Sequence, residues 1–261
     1  MRLKRHTLLD ITDSGREDIL VELAGNGPDN DLLREEYAQI ILPEKAGGRV
    51  PGIIRREETS LLPGFIPIGF SSPIIGQEGR LRVATFVQQK DISKTTSPYD
   101  LLSLIPMSPR NLCNTALVFS KNQAEELDIT LGVWGSVALE LYTGLLCTNQ
   151  YSDLDLLVAV APREALAHFL SMVKSIEAHL DLRIDIELEL ANGYGVHLKE
   201  LFGKSRTVLG KSMTEVALLP REQILSELPQ EKPVQSNQSW KRGSIVDKMK
   251  GEFCRQSTTW P

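Results

Sequence analysis

Apolar and polar positions along the chain follow two regimes. From Leu3 to about Val87 the apolar residues come in short runs, HTLLDI, DILVEL, VPGIIRR, FIPIGF and RLRVATFV, separated by Gly, Pro and Asn clusters. That pattern predicts short strands and a small β-rich domain over residues 1–96. One stretch, Asp31 to Leu42, permits a helix through Leu32, Leu33, Glu36 and Ile40, and equally a strand ending on Ile40, Ile41 and Leu42. Gln88 to Thr96 is polar and has no period, which predicts a connection between domains.

From Ser97 onward strand and helix periods alternate, the pattern of an α/β domain over residues 97–229. Ser97 with Pro98, and Ser108 with Pro109, each read as a cap followed by proline at the first helical position, the second opening a helix through Leu112, Ala116, Phe119 and Leu127. An apolar strand, Leu131 to Trp134, runs into Gly135 and Ser136, a short helical segment reaches Thr143, and a further strand carries Asp153 and Asp155. Pro162 opens a helix whose Leu166, Phe169, Leu170, Val173 and Leu180 recur at helical spacing. Arg183 to Leu190 alternates, with Ile184, Ile186, Leu188 and Leu190 on one face and Asp185, Glu187 and Glu189 on the other, before a turn at Asn192 and Gly193. Residues 230–261 are rich in Gln, Ser, Pro and Lys, a composition that predicts a disordered tail.

The 261 residues are 41% hydrophobic, with no apolar run long enough to cross a membrane, so a cytoplasmic protein without membrane partners is expected. A formal charge of −5 argues against nucleic-acid binding through a basic surface. Cys113, Cys147 and Cys254 are odd in number and widely spaced, and suit neither a disulfide framework nor a zinc site. His6, His168, His179 and His197 are scattered and read as surface or packing residues.

The candidate chemistry lies between Thr130 and Val160. Alternation on a strand projects Asp153 and Asp155 together, while Leu154, Leu156 and Val158 point into a core. Like charges so close call for a cation, and magnesium is the one that combines carboxylate oxygens with substrate phosphates. Gly135 lets the backbone approach a ligand, the following helix offers unpaired N–H groups, and the Ser136 hydroxyl can join them on a phosphate. Alone, an Asp-x-Asp on a strand is as readily a solvated sheet face. Arg55 and Arg56 at the end of an apolar strand, with Arg80 and Arg82, are candidates for a cationic wall facing the second domain, though solvated sheet edges explain them as well.

Trp134, Gly135, Ser136, Asp153 and Asp155 resemble the signature of the nucleotidyltransferase superfamily, with a spacer, Val137 to Ser152, longer than usual. GSVALELYTGL followed by SDLDLLV is similar to the holo-acyl carrier protein synthases of malonate decarboxylase, the phosphoribosyl-dephospho-CoA transferases. RHTLLDI, PGIIRRE, IPIGF and RLRVATFV upstream, and RIDIELEL, GVHLKEL and VLGKSMTEVALL downstream, extend the likeness over roughly His6 to Leu219. The resemblance implies an α+β fold with a mixed nucleotidyltransferase sheet and flanking helices, preceded by the small β-rich domain. It implies transfer of a phosphoribosyl-dephospho-CoA group from its triphosphate precursor to a serine of an acyl carrier protein, with release of pyrophosphate. It also implies Mg2+ held by Asp153, Asp155 and a third acid, which is Asp185 by match to the family's aspartate, with Glu187 the alternative because Ile186 replaces the family's glycine. Lys211, in the family's VL-x-K match, is expected on substrate phosphates with Gly135 and Ser136, and Arg55 and Arg56 on the triphosphate or the carrier. Two other readings fit the motif: a nucleotidyltransferase acting on another hydroxyl with a common nucleotide, and a nucleotide-binding module without catalysis.

Overall fold

Strand-forming runs divided by Gly and Pro turns pair into an antiparallel sheet of order β4-β3-β2-β1-β5, made of β1 (Leu8–Ile11), β2 (Gly52–Ile54), β3 (Phe65–Gly76), β4 (Gly79–Gln88) and β5 (Ile92–Thr96). These come from a computed structural model that describes residues 4–26, 31–43, 47–56, 62–76 and 79–230. The tail expected to be disordered lies outside the described residues. Up to Gln230 the chain is one compact unit.

Two elements of this first half differ from the sequence expectation, and a third, which it left open, is decided. DILVEL is not a strand but part of helix α1 (Asp13–Asn26). A strand would bury alternate residues, whereas Gly15, Arg16 and Ile19 are buried and Val21 is 73% exposed, a helical spacing that the short apolar run conceals. Thr12 opens the helix, its Oγ1 accepting from Gly15 N at 3.2 Å. The ambiguous segment resolves as helix α2 (Asp31–Ile41), with Ile40 and Ile41 buried against the sheet. Gln88 to Thr96 is not an unstructured connection. After a 3-10 turn at Gln89–Asp91 it forms β5, whose polar residues pair with β1 at the sheet edge.

The second sheet is mixed, in the order β11-β10-β9-β8-β7-β6. It contains β6 (Leu131–Trp134), β7 (Leu154–Ala159), β8 (Ile184–Glu189), β9 (Gly195–His197), β10 (Thr207–Lys211) and β11 (Val216–Pro220). Helices α3 (Leu112–Glu126), α4 (Gly135–Thr143), α5 (Arg163–Leu180), α6 (Leu198–Leu201) and α7 (Arg221–Glu227) complete this half. The pair β7 and β8 is parallel, which requires a crossover, and α5 supplies it. Its Leu166, Phe169, Leu170, Val173 and Leu180 are all buried, as their spacing predicts. Helix α3 begins later than Ser108 and Pro109 suggest, because the Asn111 side chain accepts from Asn114 N at 2.9 Å and caps it there. Ser97 and Pro98 open no α-helix. The Pro98 carbonyl is committed to Val133 N at 3.1 Å, and only a 3-10 turn, Asp100–Leu104, follows.

At the centre of the first core lies a charged residue. Arg16 is fully buried, and its guanidinium donates to the carbonyls of Ile11 at 3.3 Å, Ile41 at 2.6 Å and Val50 at 2.8 Å. It thereby joins β1, α2 and the lead-in to β2, and because Arg49 Nη1 also donates to the Ile11 carbonyl at 3.3 Å, its own contribution falls chiefly on the Ile41 and Val50 carbonyls. Arg16→Met keeps the apolar stem and removes these donors. Urea unfolding should show a loss of about 2 kcal/mol, at roughly 1 kcal/mol for each of those two carbonyls, and a loss well under ~1 kcal/mol would contradict this role.

Candidate active site

The turn from β6 into α4 builds one wall of the site. Trp134 lies opposite Asp155 in the β6–β7 register, and Gly135 follows with φ +71°, a left-handed conformation that costs other residues about 1–2 kcal/mol. A Cβ at Gly135 would stand 2.2 Å from Asp155 Oδ2, so only glycine fits beside that carboxylate. Ser136 comes next, in the first turn of α4, where backbone N–H groups have no partner inside the helix.

The parallel pairing of β7 and β8 builds the other wall. Its register sets Asp155 directly against Asp185, so the two side chains share a face on strands ~4.8 Å apart. Asp153, one residue before β7, lies on the same side, while Leu154, Leu156, Ile184 and Ile186 are buried on the opposite one. Burial pushes the Asp155 carboxyl up to about 7, with the charges of Asp185 and Asp153 adding to it. Arg183 bridges the other two acids, ion-paired to Asp185 and with Nη1 3.5 Å from Asp153 Oδ2. His197 Nε2 is 3.2 Å from Asp185 Oδ1. Burial alone would raise Asp185, but Arg183 and His197 outweigh it and hold this carboxyl below its ordinary range.

Glu187 and Glu189 lie on the same face of β8 as Asp185 but belong to a different set of contacts. Arg5 grips Glu187 with two hydrogen bonds, 3.0 and 3.2 Å, and His6 Nε2 stands 3.5 Å from it. Lys4 Nζ is 2.7 Å from Glu189, and the Tyr99 hydroxyl donates to Glu189 at 2.8 Å. His6, at φ +66°, stacks on the Trp134 ring with centroids 4.1 Å apart. Burial lowers the His6 pKa in spite of Glu187 beside it. Between the two acids weighed for the third position, Asp185 is the one beside Asp155, and Glu187 is keyed to the N-terminal segment.

A cavity of about 650 Å³ opens between the two sheets and collects Trp134, Gly135, Ser136, Asp153 and Asp155 on one side. Arg55, Arg80 and Arg82 line it from β4 and the end of β2. Arg80 is committed in part, donating to the carbonyls of Pro73 at 3.0 Å and Cys147 at 2.6 Å, while Arg82 is exposed. Arg56 and Lys211 do not line this cavity. Lys211 is exposed on β10, three strands from β7, and level through Gly195 with Glu189 rather than with Asp185. Three strand spacings of ~4.8 Å already set its backbone about 14 Å from β7.

Among the described residues no three acidic, His or Cys side chains converge into a ready-made metal cage. The donor set suits magnesium nonetheless, because this ion is held by one or two carboxylates together with substrate phosphates and water. Asp153 and Asp155 are the carboxylates on the cavity wall, and the crowding that raises Asp155 is the kind a divalent cation relieves.

Residues 100–222, which carry Gly135, Ser136, Asp153, Asp155 and Asp185 but not the N-terminal segment or the arginines of the first sheet, match the family described as phosphoribosyl-dephospho-CoA transferase MdcG, C-terminal domain. The chain is 31% identical over 175 residues to the phosphoribosyl-dephospho-CoA transferase of Xanthomonas euvesicatoria pv. vesicatoria (strain 85-10), covering 66% of this chain and 79% of that relative. It is 30% identical over 213 residues to the phosphoribosyl-dephospho-CoA transferase of Bradyrhizobium diazoefficiens, covering 81% of this chain and 92% of the relative. The chain belongs to the phosphoribosyl-dephospho-CoA transferase family. No solved structure matches it significantly.

In this family member the long spacer between Ser136 and Asp153 has a fixed shape, for which Glu140 is responsible. Its carboxylate accepts from Cys147 N at 3.0 Å, Thr148 N at 2.8 Å and the Thr148 hydroxyl at 2.7 Å, and pairs with Arg110 at 2.7 Å. These bonds fold the loop back onto α4 and deliver the chain to Asp153. No periodicity signals this role, nor those of Arg5, His6, Arg183 and His197, since each depends on how the folded chain brings charged or polar partners together. Burial alone would raise Glu140, but Arg110 and Thr148 dominate and hold its carboxyl below the ordinary range. A depressed carboxyl contributes stability above its unfolded pKa and loses it as pH falls through the folded value. Glu140→Gln should therefore cost about 2 kcal/mol in urea unfolding at pH 7, and the gap to the parent should close as pH drops below the usual glutamate range. Equal stability of the two proteins at pH 7 would contradict the assignment.

Proposed function

We propose that the chain is the transferase that moves a phosphoribosyl-dephospho-CoA group from its triphosphate precursor onto a serine of the malonate decarboxylase acyl carrier protein, releasing pyrophosphate. One observation carries this reading: Asp153 and Asp155 line a cavity that Gly135, Ser136 and three arginines also reach, and the β7–β8 register sets Asp185, itself outside that lining, beside Asp155. Acids for a cation on one wall and phosphate donors around them are the parts that phosphoryl transfer from a triphosphate uses. The names of the relatives support the transferred group.

Asp153 and Asp155, flanked by Asp185, hold Mg2+ in this reading. When bound, the ion offsets charge on the reacting phosphate and on the departing pyrophosphate. Ser136 Oγ and the N–H groups that begin α4 grip the phosphates. Arg55 and Arg82 meet the triphosphate from the first sheet, a part that the fold gives more readily to them than to Arg56 or Lys211. Asp185, kept ionised by Arg183 and His197, accepts the proton of the attacking serine hydroxyl as its oxygen bonds the ribose-linked phosphorus and the bond to pyrophosphate breaks. No helix among the described residues is long and apolar enough to cross a membrane. The charge of −5 supports the absence of nucleic-acid partners.

Intact-mass spectrometry of the carrier protein after incubation with this chain, magnesium and the triphosphate tests the reading. The carrier should gain the mass of the phosphoribosyl-dephospho-CoA group on a serine. Asp155→Asn should slow the gain about a thousandfold with the fold retained, each ~1.4 kcal/mol of lost stabilisation being tenfold in rate. A carrier that gains mass only with ATP, or an Asp155→Asn variant as fast as the parent, would overturn it.

A further inference from the structure

A second cavity, about 390 Å³, lies on the same face of the second sheet and shares Arg5 and His6 with the first. Its floor includes Leu157 and Ala159, two and four residues beyond Asp155 along β7, which at ~3.3 Å per residue is about 7 to 13 Å from the carboxylates. Resting on the function proposed above, we propose that this cavity receives the uncharged adenosine portion of the transferred group, while the first cavity receives its phosphates.

Charge divides the two cavities. The first presents Arg55, Arg80 and Arg82 around its acids. In the second every charge is already matched: Lys4 to Glu189 at 2.7 Å and Arg5 to Glu187 at 3.0 Å, with the Tyr99 hydroxyl on Glu189 at 2.8 Å. A phosphate entering there would meet two carboxylates and no uncommitted cation, so the site suits a neutral ligand. Apart from Thr7 and Ser97 the remainder of the lining is apolar, with Pro98, Val160 and Met213 able to cover a flat base. His6 lines this cavity as well, but its buried Nε2 stands 3.5 Å from Glu187 Oε1, so it too is turned toward a partner within the chain. The other neutral part of dephospho-CoA, its pantetheine arm, is separated from the adenosine by an anionic diphosphate. It could follow into this cavity only by bringing that charge along.

The test is calorimetric titration of the full chain with dephospho-CoA, and separately with magnesium and inorganic tripolyphosphate. Ala191→Trp and Val160→Phe place bulk at exposed positions on the cavity rim, where little of the core is disturbed. Both variants should bind dephospho-CoA at least tenfold more weakly than the parent and tripolyphosphate equally well, and adenosine but not pantetheine should displace dephospho-CoA from the parent. Unchanged dephospho-CoA affinity in both variants, displacement by pantetheine alone, or a parent that binds tripolyphosphate but no dephospho-CoA would overturn the subsite. A parent that holds dephospho-CoA and loses it in the variants, yet binds no tripolyphosphate with magnesium, would instead overturn the phosphate reading of the first cavity and leave the subsite standing.

Discussion

Two aspartates side by side on neighbouring parallel strands set the terms for the rest of this molecule. Asp155 and Asp185 face each other because β7 and β8 run parallel and in register, and that pairing exists because α5 crosses between them with a continuous apolar face. The aliphatic residues that alternate with the acids fill the opposite face and fix the strands, so the carboxylates cannot move apart to relieve their repulsion. What they lose in repulsion is met from outside the strands by Arg183 and His197 on Asp185, and shows on Asp155 as a carboxyl pushed up to about 7. Gly135 completes the constraint, since any side chain there would occupy the space that Asp155 Oδ2 needs.

The N-terminal half is part of this site rather than an appendage to it. Residues Lys4 to Thr7 run across the acidic face of β8, and their ion pairs turn what reads as a solvated row of glutamates into a closed contact between the two sheets. His6, held in a left-handed conformation and stacked on Trp134, stands where both cavities meet. Tyr142 donating to Asp10 at 2.7 Å and Arg80 donating to Cys147 tie the sheets together again on the α4 side. A wall with three arginines near its acids and a wall whose charges are paired with one another therefore coexist on one face of one sheet, each built from both parts of the chain.

The site was largely legible in sequence because its parts are local. A strand, a Gly-Ser turn and alternating acids occupy a few residues each, and period 2 in β7 and β8 says which side chains share a face. Helix α5 was legible for the same reason, over a window long enough for period 3.6 to show. Where the reading failed, the window was short or the decisive partner was distant. DILVEL is six residues, in which Ile19, Val21 and Leu23 suit period 2 and Ile19, Leu20 and Leu23 suit period 3.6, until Arg16 and Gly15 are seen buried with Ile19, and Val21 exposed. β5 is polar because it is an edge strand, and its pairing with β1 spans some eighty residues. The VL-x-K match points to a lysine near phosphates, but strand order, which sequence does not give, places Lys211 at the far end of the sheet. Glu187 and Asp185 look equivalent in the strand pattern, and only the positions of Arg5 and Asp155 tell them apart.

The central claim is that the acid pair beside Gly135 is a magnesium-dependent phosphate site. A crystal structure of the full chain with manganese in place of magnesium, and with tripolyphosphate bound, would test it most directly. Anomalous scattering should place manganese on Asp153 and Asp155, with a phosphate on Ser136 and the first N–H groups of α4. Manganese found elsewhere, or a tripolyphosphate seated on Lys211 away from Ser136, would contradict the account.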